Sequence, residues 1–94
     1  MRIGLLTITL LFPQANSLKA KRSLIKPVLA RLHRQFNISA AEVGLLDVHQ
    51  QAILGCAVVS DDHIHNEQVL QKVIKFIEIS WPDLFISDQK IEHL

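Results

Sequence analysis

Residues 38–60 read ISAAEVGLLDVHQQAILGCAVVS, and their interpretation decides how the rest of the chain folds. Ile38 to Leu45 and Gln51 to Ser60 are two β-favouring runs, and Leu46 to Gln50 is a connection of hairpin length. Upstream, Met1 to Phe12 is rich in Ile, Leu and Thr and ends at the turn-like Pro13 to Ser17, so it reads as a long strand. Ser17 is a good N-cap for a helix running to about Phe36. Downstream, Asp61 or Asp62 caps a second helix, in which Val69, Leu70, Val73, Ile74 and Ile77 recur at helical spacing. Ser80 to Asp83 breaks it, and Leu84 to Leu94 forms a last strand whose polar second half suits a sheet edge.

The order is therefore β-α-β-β-α-β. With right-handed crossovers it gives an α+β, ferredoxin-like domain, a four-stranded antiparallel sheet with both helices on one face and the first and third strands central. At 94 residues the chain holds one such domain, spanning 1–94. On a helical wheel Leu18, Ile25, Val28, Leu29, Leu32 and Phe36 share one arc, with Lys19, Arg22, Lys26, Arg31 and Arg34 opposite. Pro27 admits two readings: one kinked helix with the proline on its solvent side, or a regular helix that starts at Pro27 after a separate turn. A two-layer domain leaves one sheet face bare, and strands there alternate apolar and polar residues. The first and third strands are apolar on both sides: Ile3, Leu5, Leu11 and Ile53 fall on the face away from the helices. The expected consequence is a homodimer formed through that open face.

The net charge of +1 conceals a split. Through Ala41 the chain carries seven Lys and Arg and no acid; from Glu42 on it carries three lysines against nine acids, so segments of +7 and −6 nearly cancel. Such asymmetry points to an anionic partner. The single Cys56 makes neither an internal disulfide nor a thiolate metal site by itself, which fits a reducing cytoplasm. Ile3 to Phe12 is too short to span a membrane, lacks a clear signal-cleavage pattern, and reads as a buried strand. No membrane association is expected.

Three segments carry a resemblance. Ser17 to Ser23 after the opening strand, Phe36 to Gly44, and Ala52 to Ser60 resemble the YlxP-like family of small uncharacterised bacterial proteins, over nearly the whole chain. The resemblance implies a ferredoxin-like fold and, through genes that often sit among those for translation initiation and ribosome maturation, a role in that setting. It implies no activity. The chain differs from the family pattern in Pro27 and in His49, where a tryptophan is expected in the hairpin loop.

The strongest functional signal is the first helix. Lys19, Lys21 and Arg22 crowd its first turns beside Ser17, where the helix dipole favours an anion, and Lys26, Arg31 and Arg34 continue the basic face. The functional reading is contact with structured RNA or the ribosome through phosphates; the plain alternative is a solvated face paired with acids of the second half. Base stacking on the sheet is not expected, since the central strands offer only Phe12. A rival is a dimeric regulatory module taking a small molecule or protein. A further rival is an enzyme like the acylphosphatases, which share the fold, although their anion loop is Gly-rich and Pro13 to Ser17 has no glycine. No catalytic residue, cofactor or metal site is expected. Asp61 to Glu67 holds metal-ligand residue types, but as the start of a helix it would point His63 and His65 apart, and capping explains its acids.

Overall fold

The computed structural model describes residues 1–94. The elements are β1 (Arg2–Leu11), α1 (Leu18–Gln35), β2 (Ser39–Gly44), β3 (Gln51–Ser60), α2 (His63–Ser80) and β4 (Phe85–His93). The strands form one antiparallel sheet in the order β2-β3-β1-β4, the ferredoxin-like arrangement expected from the sequence.

Period-two alternation fixes which side of each central strand meets the helices. Leu6, Ile8 and Leu10 of β1 and Ala52, Leu54, Cys56 and Val58 of β3 are buried beneath Ile25, Val28 and Leu32 of α1 and Leu70, Val73, Ile74 and Ile77 of α2. Gly4 sits under α2 where no side chain fits freely, since a Cβ would come within 3.1 Å of Asn66 Cβ and Leu70 Cδ1. Asn66 is fully buried, and it is satisfied: its Oδ1 accepts from Ser60 Oγ at 2.7 Å and its Nδ2 donates to the Arg2 carbonyl at 3.3 Å. It ties the start of α2 to the ends of both central strands.

Ser17 caps α1 by accepting from the Ala20 N–H at 3.0 Å, and Asp62 caps α2 through Ile64 at 2.9 Å. Pro27 lies inside a single helix, on its exposed side, so the reading in which the helix begins at Pro27 is not the one that forms. At the other end of α1 the C-cap Phe36 packs edge-on against Phe76, and Phe76 against Trp81, the C-cap of α2. The guanidinium of Arg31 stands 5.1 Å from the Phe76 ring centre and 5.0 Å from that of Trp81, a cation–π clasp between the C-terminal halves of the helices.

Ile3, Leu5, Leu11 and Ile53 lie on the sheet face away from the helices, half-buried by their neighbours in the sheet. No helix is long and apolar enough to cross a membrane.

Replacing Pro27 with Ala supplies an N–H able to bond the Ser23 carbonyl and removes the ring from the helix interior. The expected result is a gain of roughly 1–3 kcal/mol, read as a higher urea midpoint at unchanged slope. A lower midpoint would show that the proline is built into the packing of α1.

Candidate functional site

Six of the cationic and capping residues singled out from the sequence reach the surface of α1 as expected, and one does not. Lys21 is the correction. Its position on the wheel is that of Ile25, Val28 and Leu32, and it is 1% exposed. The Nζ donates to the carbonyls of Leu45 at 2.9 Å, Gln51 at 3.2 Å and Leu46 at 3.4 Å, all in the β2–β3 connection. Glu42 Oε2 lies 3.0 Å from Nζ. That oxygen is itself buried and accepts no directed hydrogen bond, so the carboxylate neutralises charge while the carbonyls take the N–H groups. The grip holds Leu45 at φ 56°, a left-handed conformation that costs a leucine on the order of 1 kcal/mol. Lys21 is therefore a structural ammonium and is lost to any external anion.

Lys19, Arg22, Lys26 and Arg34 are exposed, and none lies within ion-pairing distance of a carboxylate. α1 contains no acid of its own to quench them. Spacings of three, four and seven residues place Lys19, Arg22, Lys26 and His33 within about 60° of one another on the helix. His33 joins this stripe by spacing alone, a signal that a search for Lys and Arg passes over. Arg31 is exposed but spends its guanidinium on Phe76 and Trp81. The Ser17 hydroxyl oxygen accepts the capping bond, and its proton remains able to donate.

The charges of α2 sort by side. Glu67 and Glu78 turn toward β4: Glu67 Oε1 meets His93 Nε2 at 2.7 Å, and Glu78 borders Ile86 to Gln89. Lys72 and Lys75 instead line a groove with Gln35 and Phe36 at the end of α1. The two glutamates of α2 thus face the sheet edge. The alternative of a basic face paired with acids of the second half holds for Lys21 and Glu42 alone; the exposed cations of α1 have no such partner.

The remaining candidates are inert or structural. Burial pushes the Cys56 thiol up to about 11, so it is no nucleophile near neutrality. His63 and His65 diverge at the start of α2; the His63 ring stacks edge-on to His93 at 6.1 Å, and no group of three metal-ligand side chains comes together. The bond from His93, and a second from Gln71, hold the Glu67 carboxyl below its ordinary value.

A family model described as "Protein of unknown function (DUF503)" matches residues 3–90. The chain belongs to the DUF503 family. A Bacillus subtilis (strain 168) relative, the uncharacterized protein YlxP, is 37% identical over 82 residues, covering 87% of this chain and 88% of its own. The expected resemblance therefore holds. Among solved structures, the de novo designed protein Foldit4 superposes over 100% of this chain and 97% of its own, with a TM-score of 0.56 and 11% identity. A de novo designed ferredoxin-fold protein, LFR1, covers 100% and 83% with a TM-score of 0.53 and 13% identity. These two likenesses show the DUF503 chain's fold alone.

Two outcomes follow for this DUF503 protein. Lys21→Met leaves Glu42 and three carbonyls without their cation, and the expected loss is about 3–5 kcal/mol by urea denaturation, against under about 0.5 kcal/mol for Lys19→Ala. Comparable small losses for both would show that Lys21 is not a clamp. For Glu67 the folded value is lowered, so its stabilisation is present above the ordinary carboxyl value of 4.5 and is lost as pH falls through the folded value. The pair is partly exposed, which limits the effect to under about 1 kcal/mol. His93→Ala should flatten that part of the stability–pH curve; an unchanged curve would show that the pair contributes nothing.

Proposed function

We propose that this protein binds structured RNA through its phosphates, in the translation and ribosome-maturation setting that the family resemblance implies, using the basic helix layer. The observation that carries the reading is the set of exposed, unpaired cations Lys19, Arg22, Lys26 and Arg34 on a helix without acids. Lys72 and Lys75 add to the same layer. Phe36, Phe76 and Trp81 are engaged with one another or with Arg31 and Phe12 is buried, which leaves Phe85 at the start of β4 as the one exposed, unengaged ring, so recognition rests mainly on backbone charge and shape.

Filter binding of ribosomal RNA across a salt series tests this. Four to six phosphate contacts give a slope of log K against log salt of roughly −3 to −5, and Lys19→Glu/Arg22→Glu should make it shallower by about 2. Affinity at low salt should fall at least about tenfold. Binding that is absent at low salt, or indifferent to the double reversal, would sink the reading.

A further inference from the structure

The helix layer leaves the opposite face of the sheet uncovered. On that face β1 presents Ile3, Leu5, Thr7, Thr9 and Leu11, and their partners on β3 are Val59, Ala57, Gly55, Ile53 and Gln51. β2 adds Ser39 and Ala41 beside Ala57 and Gly55, and Val43 leans over Gly55, where an added Cβ would meet its Cγ1 at 3.2 Å. No ionisable side chain stands on this face of the three strands. Charge begins only on β4, where Glu92, Lys90 and Asp88 pair with Leu5, Thr7 and Thr9 and form one rim. Val43 and Val59 stand clear of their neighbours at 59% and 61% exposure.

We propose that a second copy of this chain covers the face, forming a symmetric dimer of two sheets packed face to face. Three features select that occupant. First, an uncharged surface across three strands suits a partner equally without charge, and the matching surface available is the same face of another copy. Nucleic acid is unsuited to it, because apart from Lys90 at the rim, which lies 3.8 Å from Glu92, the face carries no cation. Second, association through strand edges is blocked at both ends of the sheet. β2 is bulged between Glu42 and Gly44, the β1–β4 ladder shifts register beside Thr9, and β4 carries alternating charge. Third, the area suffices. The four strands, with the β4 rim included, at ~4.8 Å spacing give a face of roughly 30 × 18 Å, on the order of 1,100 Å² for two copies before side-chain relief is added, close to the lower bound for a specific interface. A two-fold axis between the sheets and along the strands lays each β1 over the β3 of the other copy, with the β4 charges at the rim beside that copy's β2 edge.

The inference goes beyond RNA binding and stands or falls without it. Sedimentation equilibrium of the full chain into the high micromolar range is the test, with wild type beside Val43→Lys, Val59→Lys and the control Ile79→Lys. Ile79 is 71% exposed on the helix layer, outside the face. All three positions are already largely exposed, so far-UV circular dichroism should stay unchanged. Wild type and the Ile79 variant should sediment at twice 10.6 kDa, and the two face variants at 10.6 kDa at the same concentration. A wild-type mass of 10.6 kDa throughout, or an association that survives both face substitutions, overturns the proposal.

Discussion

A single ammonium group sets the orientation of the first helix. Lys21 lies in the first turns of α1, and capture of its Nζ by three carbonyls and Glu42 fixes the helix in rotation about its own axis. One, two and three turns further on, Ile25, Val28 and Leu32 must then enter the core, and Lys19, Arg22 and Lys26 must face outward. Set against an apolar replacement of both partners, the Lys21–Glu42 pair contributes little net stability, because desolvation offsets most of the attraction; removing the lysine alone is what costs. What it contributes is a unique arrangement: no other rotation of α1 supplies oxygen ligands to Lys21, and an unligated buried ammonium is prohibitively costly.

That constraint links the two halves of the chain. The N-terminal segment holds most of the unpaired positive charge, and the C-terminal segment holds the acids. Of the nine acids, Glu42 is the one that crosses to meet a cation of α1. The others are turned to the sheet edge, to loops or to solvent, and the helix layer keeps its field. Near-neutrality of the whole chain thus coexists with a strongly polarised surface.

Most of the fold was legible because hydrophobic periodicity, capping residues and the hairpin connection agree with one another. Ser17, the limits of β3 and the central place of β1 all follow from those signals. Lys21 was not read correctly, because its residue type placed it with Lys19 and Arg22 while its spacing to Ile25 and Val28 placed it with the core. Charge outvoted position, and the acid that resolves the conflict lies 21 residues away on another element. Asn66 was missed for the same reason, since its four-residue spacing to Leu70 marks the buried face and its partners are the distant Ser60 and Arg2. The sorting of α2 charges, with lysines toward α1 and acids toward β4, needs the tertiary arrangement and has no local signature.

The hairpin loop is gripped mainly through its backbone. Lys21 reads the oxygens of Leu45, Leu46 and Gln51, and the Phe12 N–H donates to the oxygen of Gln50 at 2.8 Å. Side chains from Leu46 to Gln50 are exposed, and of them only Gln50 takes part, its Nε2 donating to the Pro13 carbonyl at 3.3 Å. The loop's shape is therefore uncoupled from its composition. Substitutions at its tip, His49 included, would be presented from the same rigid frame. Selection can act on what the tip displays while leaving the domain's architecture untouched.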